Sequence, residues 1–237
     1  MRKVLEIGGI VAAAVLVAFG VAAIVMGVNG RNTVNSSLAQ EQITGTPDMT
    51  PAGIAGEVAA VKAAQTKLFA SLNDAGVKAT PSPVETPSCS VAGKKVDSGN
   101  TARCFAQYMR IHTFGATSGL TYSQMGRYVA LPNTPVKFTD GLGGTNDQTK
   151  AVVDTKTKQP VASGRRDIWV TYTALTTALN SSYMASQLAL FAAVIGVALL
   201  LAGIGFGILA FASFRLPALV AKAKGSEQQV PKGVQTA

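Results

Sequence analysis

Ile168–Phe214 reads IWVTYTALTTALNSSYMASQLALFAAVIGVALLLAGIGFGILAFASF, without one charged residue. No Gly or Pro falls between Gly164 and Gly196, so nothing there breaks a helix that starts near Asp167. Ile168, Tyr172, Leu175, Leu179 and Tyr183 keep helical spacing. Leu188–Phe214 is then almost wholly apolar, and a helix of that length crosses a hydrocarbon core of about 30 Å. The spacing predicts one continuous helix whose first roughly 16 residues stand about 24 Å above the bilayer as a mast. Pro217 is its expected end, with Gly225–Ala237 as a mobile tail.

The same signal recurs once at the other end. Ile7–Val28, IGGIVAAAVLVAFGVAAIVMGV, is uncharged and makes a helix of about 33 Å. Both segments can close their own backbone hydrogen bonds in lipid. A cleaved leader competes for the first segment, because Arg2-Lys3 precede it and Ser37-Leu38-Ala39 has small-residue character. The apolar run is longer than the usual leader core of about 7–15 residues, and the Ser-Leu-Ala lies well beyond it. An uncleaved anchor is therefore expected.

Composition agrees. The chain has 237 residues, of which 48% are apolar and 14% charged, against the roughly 25% charged residues of a soluble domain. A single soluble globule and a disordered chain are both excluded. The expected fold is mainly α: two transmembrane helices flanking a helix-rich extracytoplasmic domain with long loops and one disulfide. Its parts are a cytoplasmic start (1–6), a first span (7–28), the external domain (29–183, with a membrane-proximal helix from about 167), a second span (184–215) and a cytoplasmic tail (216–237). Arg2 and Lys3 before the first span, and Arg215, Lys222 and Lys224 after the second, place both termini in the cytoplasm by the positive-inside rule. Lys222 and Lys224 are expected to meet anionic lipid head groups. Cys89 and Cys104 both fall in the intervening loop, and a pair in an exported domain is most simply a disulfide. A reduced structural pair is the alternative.

Within the loop, Ala52–Ala75 predicts an amphipathic helix with Ile54, Val58, Val61, Leu68 and Leu72 on one face. Thr80–Pro87 must be extended because of its prolines, and reads as a connector or protruding loop. Asn100–Thr113 predicts a second helix, and Thr121–Tyr128 a short one capped by Thr121. Residues 131–164 read as loop with one hairpin, the β-favouring runs being Val136–Phe138 and Ala151–Val153.

Chemistry is scarce. A facial-triad iron site needs two His and a carboxylate, and the chain has one His, His112. Neither a nucleophile elbow nor a phosphate loop occurs. His112 is therefore expected to pack or hydrogen-bond, Asp140, Asn146 and Asp147 to form a solvated turn, and no cofactor, metal or catalytic residue is assigned. The net charge of +9 is spread along the chain without aromatic interleaving, so nucleic acid is not an expected partner. The spans carry no ionisable group of the kind that marks an ion path. An oligomeric pore or transporter subunit stays open as the alternative function.

What the spans do contain is small residues four apart: Gly203/Gly207 and Ala192/Gly196 in the second, and Gly9/Ala13, Ala14/Ala18/Ala22 and Ala23/Gly27 in the first. Such pairs let helix backbones approach closely. They suit a hairpin within one chain, or contact with other copies or a larger membrane complex, and the second is the expectation. Trp169, Tyr172 and Tyr183 on the mast are interface candidates, with packing inside the chain as the competing role.

Several short motifs are shared with a known group. Glu41-Gln-Ile-Thr44, Ala92-Gly-Lys-Lys-Val-Asp97, Thr101-Ala102, Ala106-Gln107, His112-Thr113, Ala116-Thr117, Gly119 and Thr121-Tyr122-x-x-Met125 resemble a family of small actinobacterial two-span membrane proteins. Arg166-Asp-Ile-Trp-Val-Thr171 and Thr173-Ala-Leu-Thr-Thr-Ala-Leu179 resemble its pre-membrane helix. The segment from about Asp48 to Ser88 and the two cysteines depart from the smaller family form. Some members carry an aromatic ring-opening dioxygenase label, for which this chain lacks the iron ligands. The resemblance implies two spans, an extracytoplasmic loop and no catalytic residue. The functional expectation is a non-enzymatic subunit, structural or accessory, of a cell-envelope assembly, partnered by the lipid bilayer and by other copies or a larger complex.

Overall fold

The computed structural model describes residues 2–227, with side chains over 7–213. It contains four α-helices, α1 (Arg2–Gln40), α2 (Ala55–Asp74), α3 (Gly99–Ala116) and α4 (Gly164–Glu227), and a two-stranded sheet of β1 (Tyr128–Val129) and β2 (Gly144–Thr145). The chain divides into two compact units. One joins the segment up to Asn32 with that from Gln187 onward; the other is Thr33–Ser186.

The first unit is a pair of antiparallel helices, both long and apolar enough to cross a membrane. Small residues recur every seven positions on each: Ala13, Gly20 and Gly27 on α1; Ala189, Gly196, Gly203 and Ala210 on α4. All are buried. Seven is the period at which one helix face stays turned toward a partner. The contact is backbone to backbone. A Cβ at Gly20 would lie 2.7 Å from the Leu200 nitrogen and 2.8 Å from the Gly196 oxygen, and one at Gly196 2.7 Å from the Gly20 oxygen. Further along the seam, Gly27 meets the Ala189 carbonyl and Gly203 meets Val17 and the Ala13 carbonyl.

The small residues expected to contact other copies thus build a seam inside the chain. Gly9, facing Ala210 at 3.4 Å, and Ala13, Gly196 and Gly203 lie on it. Gly207 only grazes it, 3.8 Å from the Ala13 Cβ, and Ala192 is half-buried beside it. Around the rest of both helices large apolar side chains point outward, among them Phe19, Met26, Leu188, Phe191, Leu201 and Leu209. Two boundaries also differ from expectation. The first helix does not stop near Val28 but runs on to Gln40, and α4 begins at Gly164 and passes Pro217 to Glu227. Of the expected tail, residues 228–237 lie outside the described ones.

The second unit is a helical domain with a side-chain core. Helices α2 and α3 pack on each other around Val58, Val61, Phe69, Leu72, Tyr108, Ile111 and Phe114, with Val34 and Leu38 of α1 and Trp169 and Leu179 of α4 joining the cluster. Helix α3 starts at a capping box: the Ser98 hydroxyl accepts from the Thr101 amide and the Thr101 hydroxyl from the Ser98 amide. Helix α2 ends at Gly76, whose φ of +80° lets the Val77 amide reach back to the Leu72 carbonyl. The disulfide is present: Cys89 bonds Cys104 with Cα atoms 6.0 Å apart, and the buried Tyr108 hydroxyl donates to the Cys89 carbonyl.

Three local expectations are corrected here. Thr80–Pro87 is extended but does not protrude: Val84 and Pro87 are buried, and Gln65 and Gln124 donate to the carbonyls of Ser82 and Thr80. Thr121–Tyr128 is a turn, because the Gln124 side chain takes the Thr121 amide and hydroxyl and closes the segment locally. Val136–Phe138 is a single 3-10 turn after Pro135. The sheet forms between Tyr128–Val129 and Gly144–Thr145, extended by bridges from Ala130 to Ala151 and from Val153 to Pro160.

Candidate functional site

Three constellations in the helical domain bring chemistry-bearing side chains together. The first holds the interface candidates. Trp169 is buried, stacked edge-to-face on Phe114 at 5.3 Å and on Tyr172 at 5.4 Å. The Arg103 guanidinium sits 4.8 Å from the Tyr183 ring, a contact that holds Tyr183 against α3. All three aromatics therefore point into their own chain. Beside Trp169 opens an apolar groove of about 610 Å³, lined by Tyr122, Trp169, Val170, Thr173, Ala174 and Thr177. Arg166 lies over Tyr122 at its edge, 3.8 Å from the ring centroid.

The second constellation is the loop expected to be a solvated turn. Asp140 is instead buried, and its carboxylate organises the loop. Oδ2 accepts from the Gly126 amide at 2.9 Å; Oδ1 accepts from the Leu142 and Gly144 amides at 2.9 and 2.8 Å. Arg165, from the first turn of α4, completes the set at 3.1 Å and also donates to the Leu142 carbonyl. A buried carboxylate needs such a full set of donors. The flanking Asn146 is exposed, accepting from the Arg127 amide, and Asp147 is half-buried in the turn. Asp147 accepts from the Thr149 amide and from Lys150 Nζ at 2.6 Å, and the Lys150 bond, followed by those from Thr149, lowers its carboxyl to about 2.

The third gathers around His112. Its Nε2 lies 3.1 Å from Asp48 Oδ2 and its Nδ1 2.9 Å from Glu57 Oε2. Asp48 comes from the connector after α1, Glu57 from the first turn of α2 and His112 from α3, so one imidazole ties three segments. A hydrogen bond from Thr46 holds the Asp48 carboxyl below its ordinary range, helped by the nearby imidazole. The sequence left His112 either packing or hydrogen-bonding and could not name its partners. Asp48 and Glu57 are nine residues apart and far from position 112, and only the packing of α2 on α3 unites them.

No family model, no curated protein and no solved structure matches this chain. The resemblance to small actinobacterial two-span proteins rests on the short motifs quoted for it.

Proposed function

We propose that this chain is an integral membrane protein with two spans, both termini in the cytoplasm and the Thr33–Ser186 domain on the extracytoplasmic side, acting without catalysis as an accessory or structural subunit of a cell-envelope assembly. The observation that carries the reading is how the two long helices spend their surfaces. The small residues at seven-residue spacing meet across the helix pair, while Phe19, Met26, Leu188, Phe191 and Leu201 face outward at about half exposure or more. Such a surface is unfavourable in water by about 25 cal/mol per Å² and neutral in lipid. The Cys89–Cys104 bond supports an oxidising compartment for the domain.

Contact with other subunits then falls on the domain rather than on the glycine seam. The favoured surface is the Trp169–Ala174 groove, on an α4 face that carries no charge from Ile168 to Met184. A photo-crosslinking residue at Ala174 in the native membrane is expected to give an adduct of one defined mass. Crosslinks to lipid alone, or none, would remove the accessory-subunit reading. For topology, an impermeant thiol label should reach Cys89 only after reductant, and a carboxyl-terminal tag should stay inaccessible from outside. Conductance across a planar bilayer from the purified chain would favour the pore alternative instead.

A further inference from the structure

We propose that His112, Asp48 and Glu57 form a site for a divalent first-row transition-metal ion, with His112 Nε2 and the Asp48 carboxylate as ligands and Glu57 holding the opposite ring nitrogen. The geometry fits that division. Two ligands at about 2.1 Å from one ion, at an angle near 95°, stand about 3.1 Å apart; the Nε2–Oδ2 separation is 3.1 Å. On the other side of the ring, Glu57 Oε2 accepts from Nδ1 at 2.9 Å. That bond fixes the tautomer with the proton on Nδ1, so that Nε2 is the nitrogen with a lone pair to give. A carboxylate backing a metal-ligating imidazole is the usual outer shell of such sites.

Charge points the same way. Two carboxylates face one imidazole, and among the described residues neither has a Lys or Arg within ion-pair distance. An ion between Nε2 and the Asp48 carboxylate places positive charge where these two carboxylates have no Lys or Arg to meet them. The ligand atoms of the three residues lie within 4.8 Å of one another, and each side chain is 30–40% exposed, so the ion and its remaining water ligands can enter from solvent. One nitrogen among oxygen donors suits Zn²⁺, Co²⁺ or Ni²⁺ and disfavours Ca²⁺, which takes an all-oxygen shell. No spacing motif announces this set, which runs against the sequence expectation of no metal.

The test uses the full chain in mild detergent, without a histidine tag, titrated with CoCl₂ and monitored by visible absorption and thermal midpoint. The site requires a new d–d band that saturates at one equivalent, a rise in the midpoint, and no effect of CaCl₂. His112→Gln and Asp48→Asn should each weaken binding more than tenfold. Glu57→Gln should weaken it about 10- to 100-fold while keeping the band, as expected of an outer-shell partner. Far-UV circular dichroism establishes that each variant is folded, and Asp48→Asn decides the matter if His112→Gln is not. Absence of a band at millimolar Co²⁺, an equal response from Ca²⁺, or unchanged binding in Asp48→Asn would each overturn the proposal.

Discussion

The two units are held together by opposite means. Between α1 and α4 up to Asn32 and from Gln187, the contact exists because side chains are missing: Gly20 and Gly196 put main chain against main chain. In Thr33–Ser186 the contact is made by side chains that fill space, with Tyr108, Phe114, Ile111 and Leu120 all but fully enclosed. On the proposed membrane placement, the difference follows from the solvent. Where water surrounds the chain, removing apolar area from it drives packing. Where lipid surrounds the chain, that driving force vanishes and only close approach is left to favour contact. One unit should therefore be sensitive to truncation and the other to enlargement.

The largest effect tests the filled core. Phe114→Ala should cost about 4 kcal/mol, read as a collapse of the domain's thermal midpoint, whereas Phe206→Ala, on an outward-facing position of α4, should leave it unmoved. Next comes the seam. Gly196→Leu should cost about 3 kcal/mol by forcing the backbones apart, while Gly205→Leu, which meets nothing within 4 Å, should be neutral. Intramolecular crosslinking between cysteines introduced at Ala13 and Gly207 reads the separation, and equal yields in the two variants would break the contrast. Reduction of Cys89–Cys104 should cost about 3 kcal/mol in the chain-entropy model and act on the domain alone.

The smallest effect is electrostatic. Asp147 has its carboxyl lowered to about 2, so its bonds to Lys150 and Thr149 contribute fully above the ordinary carboxylate value of about 3.9 and fade as pH falls through 2. Asp147 is only partly covered, so Asp147→Asn should lower stability slightly above about pH 4, and the variant and the parent should converge as pH falls through 2. A loss that persists unchanged below pH 2 would mean that the turn needs this side chain for something other than its charge.

How much of this was legible depended on the range of the signal. The two apolar helices, α2, α3 and the Cys89–Cys104 pairing could be read from local periodicity and from the cysteine count. The seam was half legible. Four-residue spacing picked out Gly9, Ala13, Gly27, Gly196 and Gly203 but missed Gly20, Ala189 and Ala210, because the governing period was seven and because small residues alone do not name their partner. The continuation of α1 to Gln40 was hidden by Asn29, Asn32 and Asn35, weak helix formers overridden by the burial of Leu38 and the packing of Val34. Asp140 and His112 were misjudged or half-judged for one reason. Their partners, Gly126 and Arg165 in one case and Asp48 and Glu57 in the other, are neighbours only after folding.

The Asp140 carboxylate has a kinetic consequence. It gathers the amides of Gly126, Leu142 and Gly144 and the side chain of Arg165 at one point, so the three amide protons share one acceptor and are freed when the carboxylate swings away. In deuterated buffer the three amides should therefore lose their protection together, at a single opening rate, although eighteen positions of chain separate the first from the last.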